Sequence, residues 1–373
     1  ITTVPNVSAE KLEECADSLF AQILTGNRVF TLNGSRSECE WGTDPDGPEG
    51  LLGFDNLPKL RTGEGVPYVA NSNDSYWLSN PNSLLEGFSP LIGNEGVRQS
   101  LRTRQAFVQA EERIAGTDDL DETPGFTIDW LQEMLYGNRN IAEELTRNDV
   151  VAICNAVEDW NAYSANPTEA EAACGILETW DGRFDNDSVG STIWNEFWRR
   201  ADDLGDDLWA VPFDPEDPVN TPNTLNDDDP VVVEAVKAAL GAGVDFMING
   251  GIPLDRPWGE VQFRPVGEGD QIPIHGGSGR FMFSVISANF VDQVGYANIP
   301  AGNSYIQTVT WDESECPDAY AVLTYSQSTD PASPHFADLT RVYSAEEWND
   351  MPYCPEDIEE AKISEEVISN SEN

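Results

Sequence analysis

The spacing of apolar residues changes near Trp258, and no other feature narrows the folding of this 373-residue chain so much. From about Asn94 to Leu240 apolar side chains recur three and four positions apart, the period of a helix with one buried face. Beyond Trp258 they fall into short runs between glycines and prolines, the pattern of strands. The spacing predicts helices over 94–114, 127–136, 146–160, 168–179, 191–204 and 230–240. Thr127, Thr146 and Thr168 stand where N-caps stand, and Gly137 and Gly205 suit stops. Strands are expected over 261–266, 280–288, 304–310 and 319–325. Trp130, Trp160, Trp180, Trp194 and Trp198 occupy apolar helix positions, which reads as core packing ahead of a sugar-stacking platform.

Ahead of this, Ser8 reads as the N-cap of a helix running to about Thr25, with Leu12, Cys15, Leu19, Phe20 and Ile23 on one face. The run Arg28-Val29-Phe30-Thr31-Leu32 leads into an acidic, Gly/Pro-rich loop over 34–57. There Asp44-Pro45-Asp46-Gly47 faintly suggests a calcium loop. The proline, and the lack of later ligands at loop spacing, favour a solvated turn. Residues 357–373 read as an acidic tail frayed beyond a short helix.

Charge excludes two partner classes. Twenty basic residues against 67 acidic ones give a net −47, and such a surface repels nucleic acid and anionic membranes. Adaptation to a saline medium is one reading of it; a solubilising surface is the other. No apolar run approaches the roughly 18–20 residues of a membrane-spanning helix. Ile1 is not an initiator Met, so a processed or truncated chain is expected. Six cysteines, Cys15, Cys39, Cys154, Cys174, Cys316 and Cys354, fall into three sequential pairs, none at C-x-x-C spacing. Pairing in that order would close short-to-medium loops in an oxidising compartment, periplasmic or secreted. Sequence does not establish the connectivity, and buried free thiols are the alternative.

The stretch over 66–104 carries the most chemistry. An apolar run, Val66-Pro67-Tyr68-Val69-Ala70, suits the end of a strand and gives way to Asn71-Ser72-Asn73-Asp74-Ser75. Short amide and hydroxyl side chains of this kind make turns. A strand-end amide can also serve acyl-transfer chemistry as an oxyanion donor. The run continues through Trp77-Leu78-x-Asn80-Pro81 and Gly87-Phe88-Ser89-Pro90-Leu91 to Arg102 and Arg104. Ile274-His275-Gly276-Gly277-x-Gly279, Asn303-Ser304-Tyr305-Ile306-Gln307 and the segment from Ser326 to His335 follow far downstream. Together these ordered motifs resemble the β-chain of penicillin-acylase-type N-terminal nucleophile hydrolases, in particular the acyl-homoserine lactone acylases and aculeacin A acylase. The resemblance extends over nearly all of the chain and corresponds to the C-terminal part of such a β-chain. The first two cysteine brackets occur in those acylases as well.

The resemblance implies an α+β fold: a partial αββα N-terminal nucleophile hydrolase sandwich with a helical insertion. It divides the chain into 1–93 with the cysteine bracket and the strand-loop, a mainly helical 94–257, strands over 258–356 and the tail 357–373. It implies deacylation of an N-acylated small molecule, such as an acyl-homoserine lactone or lipopeptide, without a cofactor or metal. Asn73 would donate its side-chain amide to the oxyanion, and Arg102 would orient Asn73 and the nucleophile's amine. The register rests on a one-residue gap, so Arg104 and Arg98 stay open. Such enzymes attack with an N-terminal Ser, Thr or Cys. Ile1 cannot serve, and Thr2 would need a further cut. The nucleophile is therefore expected in an N-terminal part of the β-chain, joined by an α-chain of the same precursor, with this polypeptide silent alone. A noncatalytic binding or scaffold module is the alternative, and a carbohydrate-active enzyme a weaker one, since no catalytic pair can be picked from so many acids. Asp181, Asp185 and Asp187 match a structural segment of the resembling acylases. His275 and His335 lack zinc-site spacing and read as structural.

Overall fold

The computed structural model describes residues 5–26, 29–48, 50–120, 123–267, 269–311 and 316–367. Ile1, Thr2, Arg28 and residues 368–373 of the expected tail lie outside the described residues. The chain divides into two compact units, Ile1–Val108 with Pro212–Pro222, and Gln109–Val211 with Asn223–Asn373.

The first unit opens with two short helices where one was expected. Ser8 caps Ala9–Cys15 by accepting from Lys11 N. Ser18 then starts Leu19–Gly26 by accepting from Ala21 N at 3.0 Å. The restart shifts the helical phase, so Leu12 and Cys15 are buried while Leu19 and Ile23 are exposed. Cys15 is joined to Cys39. Asp44 builds a turn there, with Pro45 and Asp46 exposed and its own carboxylate buried, accepting from Asp46 N, Gly53 N and Asn56 Nδ2 at 2.7–3.0 Å. Those hydrogen bonds, Asn56's first, hold its carboxyl below the usual range. The rest of the unit is mostly turns around Trp77, Leu78 and Phe107, with Tyr68, Phe213 and Val219 against them.

The second unit supplies most of the helices and, among the described residues, all the paired strands longer than a single bridge. Its helices are Ile128–Tyr136, Ile141–Asn155, Pro167–Thr179, Ser191–Ala201, Pro230–Asn249 and shorter ones. Asn140, not Thr146, caps the second of them, accepting from Ala142 N and Glu143 N. Thr146 lies inside the helix and donates back to Ala142 O at 2.6 Å. Pro230–Asn249 runs past the expected end at Leu240, and Gly241 within it is a packing residue. A Cβ on it would come within 2.2 Å of Tyr163 O. Trp180, Trp194 and Trp198 are buried in a chain of aromatic contacts, Trp194 and Trp198 stacked at 5.9 Å.

The strands pair antiparallel in small sheets: Phe263–Pro265 with Gln271–Pro273, Ile286–Val291 with Gly295–Gly302, and Tyr305–Trp311, Pro317–Leu323 and Asn349–Asp350 in a three-stranded set. Gly295–Gly302 was not expected as a strand, and residues 280–285 were. Helix and sheet share a core of Leu135, Tyr136, Ile272, Ile274, Ile286, Val322 and Tyr343. The class is α+β. Disulfides Cys154–Cys174 and Cys316–Cys354 complete the sequential pairing. No described helix is long and apolar enough to cross a membrane.

Candidate functional site

Residues 71–75 form a turn held by its own side chains. Asn71 Oδ1 accepts from Asn73 N at 2.9 Å, and Asn71 Nδ2 donates to Asp74 O at 3.2 Å. The turn places Asn73 at φ 66°, the left-handed region that Asn tolerates better than most side chains. Asp74 then ties the turn to a helix. One carboxylate oxygen accepts from Ser100 N at 3.0 Å, from Ser100 Oγ at 2.7 Å and from the Thr103 hydroxyl. Ser100 Oγ, held by Asp74, accepts from Thr103 N at 3.3 Å as an N-cap does, and the helix begins at Leu101 and not at Asn94.

One residue into that helix stands Arg102. Its Nη1 and Nη2 each donate to Asn73 Oδ1 at 3.3 Å. A guanidinium has no acceptor, so this pairing fixes the carboxamide with its oxygen toward Arg102 and its NH₂ turned away. Among the described residues no acceptor takes that NH₂. Asn73 is exposed in this chain and Arg102 half-buried. The other two arginines are used differently. Arg104 is buried, donates to Pro222 O and has its pKa pulled down to about 10 by desolvation. Arg98 lies ahead of the helix and is exposed. Of the three, the geometry brings Arg102 to Asn73.

The turn is braced from its far side. Ser75 Oγ donates to Asn94 O at 2.6 Å, and Gln99 Nε2 to Ser75 O at 3.1 Å. Glu95 accepts from Gly87 N and Phe88 N, both at 2.9 Å, and from the Tyr76 hydroxyl. Burial and that carboxylate push the Tyr76 pKa up. Gly93 is needed at close quarters, since a Cβ there would meet Ser75 Oγ at 2.5 Å.

His275 belongs to a separate polar cluster in the second unit. It is fully buried, with Nε2 2.9 Å from Tyr343 O and Nδ1 3.3 Å from Asn138 Oδ1. Burial draws its pKa down to about 4, so it is neutral at pH 7. Asn138, at φ 44°, donates to Tyr136 O at 2.8 Å and to Asp185 Oδ1 at 2.7 Å, and accepts from Ser284 Oγ at 2.6 Å. Asp181 accepts from Ser188 Oγ and Arg183 N. Asp187 is exposed. His335 is exposed beside Asp338. Sequence reasoning passed over Asp74 and Asn138. Asp74 acts across 26 residues and leaves no short motif. Asn138 follows Gly137 at a helix end, a place that favours left-handed residues.

The family model for penicillin amidase matches residues 3–360, and the chain belongs to that family. Aculeacin-A acylase of Actinoplanes utahensis is 36% identical over 360 residues, covering 96% of this chain and 44% of the relative. An acyl-homoserine lactone acylase, PvdQ, of Pseudomonas syringae pv. syringae is 32% identical over 361 residues, covering 96% and 43%. The chain thus spans less than half the length of the curated relatives it matches. A solved thermostable penicillin G acylase from Alcaligenes faecalis aligns with a TM-score of 0.44 at 14% identity, covering 87% of this chain and 60% of that one.

Proposed function

We propose that this chain carries the oxyanion-donor part of an amide hydrolase that removes an acyl group from an N-acylated amine. The observation that carries the reading is the pairing of Arg102 with Asn73 Oδ1, which leaves an oriented, uncharged NH₂ donor. As the acyl carbon becomes tetrahedral its oxygen gains negative charge, and the Asn73 amide hydrogen would bond to it. A donor fixed in advance needs no reorganisation at that moment. Arg102 works through Asn73. Its positive charge would also favour the neutral, basic form of a nearby attacking amine.

The nucleophile is assigned outside the described surroundings of Asn73. The Ser75 hydroxyl is engaged with Asn94 O, and the Ser100 and Thr103 hydroxyls with Asp74. None of them is an N-terminal residue carrying the free α-amine that this chemistry uses as its base. The isolated chain is accordingly expected to be inactive, with an N-terminal β-chain part and an α-chain of the same precursor completing the site. The named activities of the relatives support an acyl-homoserine lactone or a lipopeptide as substrate. Three disulfides support an extracytoplasmic location.

The test is an assay of the full-length protein and of this chain alone for fatty-acid release from acyl-homoserine lactones and N-acyl peptides. Release by the full-length protein and none by the chain is expected. If the full-length protein hydrolyses neither substrate class, the noncatalytic alternative takes over. Turnover by the isolated chain would overturn the placement of the nucleophile.

A further inference from the structure

Thr127, Asn140 and Asp229 each start a helix by accepting from backbone N–H groups two or three residues further along. Ser100 does the same for Leu101–Ala115, accepting from Thr103 N at 3.3 Å, and a local cap of this kind is enough to begin a helix. Yet Ser100 is also held by a carboxylate from 26 residues earlier. Asp74 Oδ2 accepts from Ser100 N at 3.0 Å, from Ser100 Oγ at 2.7 Å and from the hydroxyl of the buried Thr103. Helix initiation does not require these three hydrogen bonds, so they call for another explanation.

Their placement supplies it. Asp74 follows Asn73 directly, and Arg102 stands between Ser100 and Thr103. The Asp74 contacts and the Arg102–Asn73 contacts thus close one ring of side chains and backbone. The two halves of that ring differ in strength. Arg102 reaches the neutral Asn73 Oδ1 at 3.3 Å from each Nη, beyond the usual N–H···O range. The bonds to the Asp74 carboxylate are short and charge-assisted, the stronger kind. The carboxylate, more than the guanidinium's own pull, therefore decides how far Asn73 stands from Arg102.

We propose that Asp74 is a positioning residue for the amide-hydrolase reaction, setting the Asn73 amide against Arg102 without itself touching the substrate. The proposal rests on the reading of Asn73 as the oxyanion donor.

The experiment is a double-mutant cycle in the full-length protein, with kcat and KM for acyl-group release normalised to the folded fraction. Asp74→Asn keeps the size of the side chain and removes the charge that gathers three donors. Alone it should lower kcat by about tenfold, with KM changed by less than about twofold. On the Asn73→Asp background, where the donor is already gone, the same substitution should lower kcat by less than about twofold. A residue that only supports the fold would cost the same factor on both backgrounds. That outcome, or parental activity in Asp74→Asn, would overturn the proposal and leave Asn73 in its role. Parental activity in Asn73→Asp would instead remove the donor reading, and the proposal with it. Thr103→Val has the same shape and lacks one of the three donors, and it serves if Asp74→Asn folds poorly. Its kcat should fall by about threefold; an unchanged kcat there would also overturn the proposal.

Discussion

Asn73 and Asn138 share a side chain and a left-handed backbone, at φ 66° and 44°, and differ in how much of the carboxamide the protein uses. Asn138 is 1% exposed, and both its oxygen and its NH₂ are engaged, through Ser284, Tyr136 and Asp185. Asn73 gives only its oxygen, to Arg102. A fully engaged amide locks a core; a half-engaged one is aimed and still has a donor to give. On the proposed function, hydrogen-bond accounting is what would separate scaffold from site, since residue type and backbone do not.

The largest effect expected from this contrast is on rate. Asn73→Asp keeps the size and the tolerance for positive φ but removes the NH₂. In the full-length protein it should lower kcat by about 10²–10³-fold with less than about 1 kcal/mol change in stability, read by steady-state assay and denaturant melts. Activity within a few-fold of the parent would erase the distinction. Asn138→Ala should do the reverse. It strands the Asp185 carboxylate, the Ser284 hydroxyl and the Tyr136 carbonyl, at about 3 kcal/mol of stability, while the folded fraction keeps its specific activity.

A pH series sharpens the buried side of the comparison. His275 has its pKa drawn from 6.5 to about 4. A depressed histidine contributes stability above its unfolded pKa and loses that contribution as pH falls through the folded one. Unfolding free energy should therefore drop between about pH 6.5 and 4, by up to about 3 kcal/mol from this residue. His275→Gln should flatten that portion of the profile, and an unchanged slope would remove His275 as its source. The smallest effect expected is for Arg102→Lys, which keeps the charge and loses the two-pronged grip on Asn73. A loss of about tenfold in kcat, with KM little changed, would mark Arg102 as a positioning residue.

The motif order was legible because it is local. Asn71 to Ser75, the Arg-x-Arg pair at 102 and 104 and the His275 loop each declare themselves within a few residues, and Ser8, Thr127 and the glycine at 137 act where their types suggest. Less legible was whatever depends on a distant partner. The helix expected from Asn94 starts at Leu101, after Ser100, which Asp74 holds from 26 residues away and which accepts from Thr103 N. The helix expected to end at Leu240 continues to Asn249, and Gly241 is the point where it comes close to Tyr163 O. Whether Arg102 or Arg104 faces Asn73 also needed coordinates, since both are helical and only burial and direction tell them apart.

Asp74 carries one more consequence. It is covalently next to Asn73, and the groups it grips, Ser100 and Thr103, bracket Arg102 along the chain. When the turn or the helix drifts, both halves of the pair are dragged together, so their separation changes less than their positions do. Precision here is relative rather than absolute, and a surface loop can keep the spacing of two side chains without being rigid itself.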